Sequence, residues 1–314
     1  MKRIFKLLLL SILALALLVS GCASSVAEEE SAKGPITVGS KIDVEGSLLA
    51  QIIILTLEDN GFEVVDKSQF GATSVVKAAL ETGELDMYPE YTGNGAFFFD
   101  EADSPVWKNA RQGYERVKEL DEEKNNITWL KPAPANNTWA IAIPASLSSA
   151  EGIKTLDDFA DYINGGGTVK LIGSEEFVSS PAALPAFQDA YGFELTQNQL
   201  LTVSSGDTTQ TEKAASEGTD GVNAAMAYGT DGAIGAFDLV VLGDPRGVQP
   251  VYEPAPRVRQ EVMDEYPEIA GILAPVFETL SLETLQDLNA KIGVEGQNPA
   301  DVARDYLESK NLLK

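Results

Sequence analysis

Four short segments of this chain set aromatic side chains beside turn-forming residues. They are Tyr88-Pro89-Glu90-Tyr91-Thr92-Gly93, Asn136-Asn137-Thr138-Trp139, Tyr228-Gly229-Thr230-Asp231-Gly232 and Val251-Tyr252-Glu253-Pro254. A single aromatic residue usually fills a core. Four aromatic segments at strand ends, next to Gly, Asn, Asp or Pro, point instead to rings that face a ligand. The 314-residue chain has no histidine and one cysteine. That excludes Ser-His-Asp and Cys-His nucleophile systems and most zinc, copper and iron sites. No catalysis and no cofactor are expected. Carboxylate chemistry stays open as an alternative, a glycosidase pairing Glu90 or Asp231 with a second acid. Glu90 reads more simply as a hydrogen-bonding residue, and Asp231 as a turn residue ahead of Gly232.

The elements that must position these rings alternate between strand and helix. Short apolar strands are read at 36–39, 62–65, 85–88 (ended by Pro89), 127–130, 138–143, 169–172, 201–203, 222–227 and 239–242. Helices are read at 45–60, 73–82, 105–125, 182–191 and 209–217, with a helical tail. Gly61 follows the first helix, where a positive φ is cheap for glycine. Thr155 and Asp158 form an acidic variant of a capping box. Asn298, Pro299 and Asp301 supply a cap, a first-position proline and an acidic first turn for the last helix. Such alternation predicts an α/β protein with parallel sheets and helices on both faces. Ligands then sit beyond the carboxyl ends of the strands. Gly71-Ala72-Thr73-Ser74 opens a helix and could hold an anion, although capping is the simpler role.

The start of the chain fixes its expected compartment. Lys2, Arg3 and Lys6 precede an apolar run from Leu7 to Val19, broken only by Ser11. About a dozen apolar residues are too few to span a roughly 30 Å hydrocarbon core, so residues 1–21 read as a secretory signal peptide. Val19-Ser20-Gly21-Cys22 resembles the bacterial lipobox, which makes Cys22 the lipidation site and the protein an extracytoplasmic, membrane-anchored lipoprotein. Residues 22–34 are small and polar and read as a flexible tether. Loss of the leader leaves 20 basic against 48 acidic residues, a charge of −28. So acidic a surface repels nucleic acid and anionic lipid and mildly attracts cations. About 290 mature residues exceed one compact core, so two lobes are expected.

At the aromatic segments the chain resembles the osmoprotectant-binding proteins of ABC importers, which take glycine betaine, choline and related quaternary amines. The resemblance rests on Gly39-Ser40-Lys41, the run from Ala79 to Gly93, Asn136-Asn137-Thr138-Trp139-Ala140, Tyr228-Gly229-Thr230-Asp231-Gly232 and Ala255-Pro256-Arg257-Val258-Arg259. It implies a two-lobed type II periplasmic-binding-protein fold with two interlobe crossovers. The crossings are expected near Trp139 and Leu242, giving lobe I as 35–138 plus 243–314 and lobe II as 139–242. It also implies a monomer that hands its ligand to a membrane permease.

Carried over by motif position, the family's aromatic box falls on Tyr91, Trp139, Tyr228 and Tyr252. The ring chemistry suits that role. A trimethylammonium group has no N–H to donate, so contact with π faces must hold it, at about 0.5–2 kcal/mol per ring. Micromolar binding needs about 8 kcal/mol net, so burial and lobe closure must add to four rings. The resemblance places Lys41 against a ligand carboxylate, with Asn94 and Asn137 as polar partners. It also exposes departures. Ser180 and Ala233 stand where the family carries arginines, and Ile42-Asp43-Val44-Glu45 replaces an aromatic followed by Thr-Glu-Gln. The anion-binding end is therefore altered, which leaves open weak binding of glycine betaine or a preference for choline or another quaternary amine. A receptor for another cationic solute, such as an amino acid, is an alternative ahead of the hydrolase, and it would still need a partner for an α-carboxylate.

Overall fold

The computed structural model describes residues 33–204 and 208–314. The expected signal peptide, Cys22 and nearly all of the tether lie outside the described residues. Among those described, ten strands form two five-stranded sheets. The first contains β1 (Lys33–Lys41), β2 (Phe62–Gly71), β3 (Met87–Tyr91), β4 (Ile127–Trp129) and β10 (Pro254–Arg259). The second contains β5 (Trp139–Pro144), β6 (Leu171–Ser174), β7 (Leu200–Val203), β8 (Ala224–Tyr228) and β9 (Leu239–Val241). Their orders are β2-β1-β3-β10-β4 and β7-β6-β8-β5-β9. The chain thus passes from the first sheet to the second after β4 and returns after β9. These are the two crossovers of a two-lobed α/β fold.

The sheets are mixed, not parallel. β1 runs parallel to β3, and β6 to both β7 and β8. β10 is antiparallel to β3 and β4, and β5 to β8 and β9. The physical reason is the crossing itself: a strand arriving from the other lobe enters at the cleft and runs away from it, against strands that end there.

β10 departs from the helical tail expected after Leu242. Pro254 and Pro256 disguise it, because proline in a central strand normally argues against one. Here Pro256 lies opposite Pro89 in β3, and its carbonyl turns to the other neighbour, accepting from Leu130 N at 2.9 Å. For the same reason β3 runs on through Pro89 to Tyr91.

The first core is organised around the helix Val44–Asp59. Leu48, Leu49, Ala50, Ile52, Ile53 and Leu57 are fully buried, and Ile54 and Leu55 nearly so. A helix apolar on every side must be enclosed. It lies against β2 on one side and the helix Pro299–Ser309 on the other. Asp43 caps it, accepting from Gly46 N at 2.7 Å. The second core gathers Ile141, Ile143, Phe159, Leu171, Phe177, Phe187 and Met226.

The lobes also meet away from the crossovers. The loop after β8 docks on the helix Leu282–Gly293, whose Leu285 and Leu288 belong to the first core. Gln286 Nε2 donates to the Gly229 carbonyl at 2.8 Å, and Asn289 Nδ2 to the Thr230 carbonyl at 2.9 Å. A Cβ on Gly232 would stand 2.0 Å from Ala290 N and 2.5 Å from Ala290 Cα. Gly232 has φ −70, so alanine is conformationally acceptable and only the close approach forbids it. Gly232→Ala should therefore destabilise by about 3 kcal/mol or more in urea denaturation, at or beyond the upper end of overpacking costs. Gly235→Ala, which meets nothing within 4 Å, is the control and should change stability by less than about 1 kcal/mol.

Candidate functional site

A cavity of about 990 Å³ collects residues from both sheets and both crossovers. All seven residues singled out from the sequence line it: Lys41, Tyr91, Asn94, Asn137, Trp139, Tyr228 and Tyr252. Strand register explains why. Tyr91 ends β3 opposite Pro254, which starts β10. Trp139 starts β5 opposite Tyr228, which ends β8. The Trp139 and Tyr228 rings stack at 6.4 Å with 23° between planes, and Phe177 meets Trp139 edge-on at 6.3 Å.

Tyr252 is held by bonds between the crossovers. Its N–H donates to Asn136 Oδ1 at 2.8 Å, and its carbonyl accepts from Asn137 N at 2.9 Å. Gly93 gives the ring room, since a Cβ there would lie 2.8 Å from Tyr252 Cδ1.

Lys41 does not stand free toward the cavity. Its ammonium lies 2.5 Å from Glu90 Oε1 and 4.5 Å from the centre of the Tyr91 ring. Glu90 is fully buried and accepts from Tyr88 OH at 2.9 Å, Tyr91 N at 2.8 Å and Asn94 Nδ2 at 2.7 Å. Asn94 and Lys41 thus share one carboxylate. Behind it the network continues inward. Arg257, fully buried, donates to Tyr88 OH at 3.1 Å and forks onto Asp121 at 2.6 and 2.8 Å. Asp121 also accepts from Trp129 Nε1 at 2.6 Å. Such a fork is strong and directional, so the lysine, the acid and the β3 backbone that carries Tyr91 are set from within the lobe.

Glu45 is the residue the sequence reading missed. A glutamate in the first turn of a helix normally faces water and complements the dipole. This one is 5 % exposed because the helix is enclosed from its first turn. Its Oε1 accepts from Tyr91 OH at 2.7 Å and from Asn137 Nδ2 at 3.0 Å. Its Oε2 accepts from Asn289 Nδ2 at 2.7 Å. Burial outweighs the stabilisation by the neighbouring Thr230 hydroxyl, Tyr91 and Asn289 and lifts its pKa to about 7. The Tyr91 hydroxyl is held protonated well above its ordinary range, first by burial and then by the charge of Glu45. The one available signal was the all-apolar helix that follows Glu45, which implied that its first turn is covered too.

The lining is acidic. Asp43, Glu45, Glu176, Glu212 and Asp231 line the cavity, and Lys41 is the single basic side chain among its described residues. Ser180 and Ala233 line it as well, so both positions noted as departures face the cavity without a guanidinium.

A sequence profile described as the substrate-binding domain of an ABC-type glycine betaine transport system matches residues 34–309. The chain belongs to this family. Within the family it is 54% identical to the glycine betaine-binding protein YehZ of Escherichia coli (strain K12) over 283 residues, covering 90% of this chain and 93% of that protein. The solved structure of apo YehZ from Escherichia coli matches with a TM-score of 0.79 over 89% of this chain and 99% of the other. A structure of a glycine betaine/carnitine/choline ABC transporter protein matches with a TM-score of 0.78 over 89% of this chain and all of the other. At 18% identity it attests the fold alone. The family's members are solute-binding proteins of transport systems.

Glu45 makes folding sensitive to pH in a defined direction. Its folded pKa of about 7 lies above the ordinary 4.5, so the folded state binds the extra proton between those values. Its contribution is fully present below about pH 4.5 and is lost as pH rises through 7. Relative to Glu45→Gln, the wild type should lose on the order of 3 kcal/mol between pH 4.5 and pH 8. Paired urea denaturation curves at the two pH values measure it.

Proposed function

We propose that this protein is an extracytoplasmic receptor that captures a quaternary ammonium compound between its lobes and delivers it to an ABC permease. One observation supports this reading above the others. Four rings drawn from two sheets and a crossover line a single acidic cavity. Such a cavity suits a permanently charged methylated nitrogen, which needs π faces and negative potential and has no N–H for a directional partner. Tyr91, Trp139, Tyr228 and Tyr252 then form the cage, with Asn137 and Asn94 at its polar edge.

Glycine betaine is the first candidate ligand, because the relative at 54% identity carries that specificity in its name. Choline is the second. The ligand's cationic end is well provided for. Its anionic end meets only Lys41, whose charge Glu90 already compensates, and no guanidinium stands at Ser180 or Ala233. The lobe division follows as 35–138 plus 243–314 against 139–242, closing about the two crossovers. Glu90, occupied by Lys41, Tyr88 and Asn94, serves as an acceptor and not as a hydrolytic acid, so the receptor is read as non-enzymatic. It is taken as a monomer without a cofactor, and its net charge argues against a nucleic acid partner.

Calorimetry with glycine betaine, choline, carnitine and arginine tests the reading. Heat of binding from at least one trimethylammonium compound is expected. Binding of arginine alone would support a receptor for a cationic amino acid instead, and turnover of a chromogenic glycoside would support a hydrolase. Tyr91→Ala and Trp139→Ala should each weaken the trimethylammonium ligand by about 1–3 kcal/mol; unchanged affinity in both removes those rings from the site. For the anchor, Cys22→Ser should move the protein from the membrane fraction to the soluble fraction with ligand affinity intact, and retention in membranes contradicts the lipobox reading.

A further inference from the structure

Glu45 touches the cavity, one ring of the cage and the junction between the lobes at once. Tyr91 on β3, Asn137 on the first crossover and Asn289 on the helix Leu282–Gly293 all donate to its carboxyl group. The same Asn289 amide donates to the Thr230 carbonyl in the other lobe. Three donors suit the ionised form. The neutral form must instead donate one O–H. Its neighbours can accommodate it, because Asn137 Oδ1, Asn289 Oδ1 and the adjacent Thr230 Oγ1 are all buried with no hydrogen-bond partner. Turning either amide over presents an oxygen to the acid. Of these, only turning Asn289 would withdraw the N–H that bridges to the Thr230 carbonyl.

We propose that Glu45 gives up a proton to solvent when a quaternary ammonium ligand enters the cavity, so that the ligand's charge replaces the proton and binding is linked to pH. The exchange rests on the quaternary ammonium reading of the cavity. An empty cavity leaves a buried carboxylate without a counter-charge, and burial favours the acid, whose pKa is about 7. A fixed positive charge beside it favours the carboxylate. The ionised carboxylate in turn draws the Tyr91 hydroxyl proton, enriches that ring and strengthens its hold on the cation.

The charged and titratable groups around Glu45 are Asp43 at its own helix cap, Tyr91 on β3 and Lys41 on β1. Across the cavity stand Tyr228, Tyr252, Glu176, Glu212 and Asp231. Asp43 raises Glu45 further. Lys41 faces the same ring but is paired with Glu90.

Titration calorimetry of the purified protein with glycine betaine and with choline, in buffers of small and large ionisation enthalpy, counts the protons released. About half a proton per ligand is expected at pH 7. Affinity should rise about fivefold to tenfold between pH 5.5 and pH 7.5 and level off above pH 8. Glu45→Gln keeps the size and one acceptor oxygen; it should bind with no proton release and a flat profile. Binding without proton release in the wild type, or release that survives in Glu45→Gln, overturns the exchange alone. No binding of either compound overturns the reading of the site as well. Should Glu45→Gln fail to fold, a carbon-detected NMR titration of the wild-type Glu45 carboxyl decides the question. Its midpoint should move to lower pH when ligand is added, and an unmoved midpoint overturns the proposal.

Discussion

The direction in which strands meet the cleft governs the site. β3 and β8 end there; β10 and β5 begin there, each lying antiparallel beside one of them. A strand that ends presents its last residue, and one that begins presents its first. Antiparallel register therefore sets Trp139 against Tyr228 and brings Tyr91 beside the segment that carries Tyr252. Parallel sheets alone would supply strand ends but not the returning strands. The returning strand β5 and the second crossover thus bring Trp139 and Tyr252 to the cavity, and bonds between the crossovers fix Tyr252. Side chains complete the ordering: Asn136 Oδ1 accepts from Tyr252 N, and Glu45 accepts from the Tyr91 hydroxyl.

Electrostatics divides the site into a rigid part and a responsive part. The rigid part runs from Lys41 through Glu90, Tyr88 and Arg257 to Asp121. Acids and bases alternate along it, so each buried charge has a partner of opposite sign or a hydroxyl. Breaking such a network leaves an uncompensated buried charge, which is far costlier than the network's net worth. The responsive part is Glu45, buried without a basic partner and surrounded by two amides, a phenol and the Thr230 hydroxyl. Polar neighbours that present either donor or acceptor tolerate both of its protonation states. Glu45 borders the cavity, whereas Glu90 lies behind Lys41 and Asn94, and their surroundings assign the two carboxylates opposite tasks.

Much of this was legible in the residues themselves. Aromatic segments beside Gly, Asn and Pro located the cavity walls, because turn residues mark strand ends. Periodicity found nine of the ten strands among the described residues. Two things were hidden for physical reasons. Proline masked β10, since its missing donor matters only where a neighbour needs it, and the pairing of Pro256 with Pro89 is a property of three-dimensional register. Glu45 was hidden because first-turn acids usually serve the helix dipole; Tyr91, Asn137 and Asn289, all distant in sequence, enclose this one. The paired state of Lys41 was invisible for the same reason, as its partner Glu90 comes from a different strand.

A crystal structure of the protein grown with glycine betaine or choline tests the central claim most directly. The account predicts the trimethylammonium nitrogen within about 6 Å of the ring centres of Tyr91, Trp139, Tyr228 and Tyr252, with the lobes closed on it. Ligand density elsewhere in the cleft, away from those four rings, would contradict it.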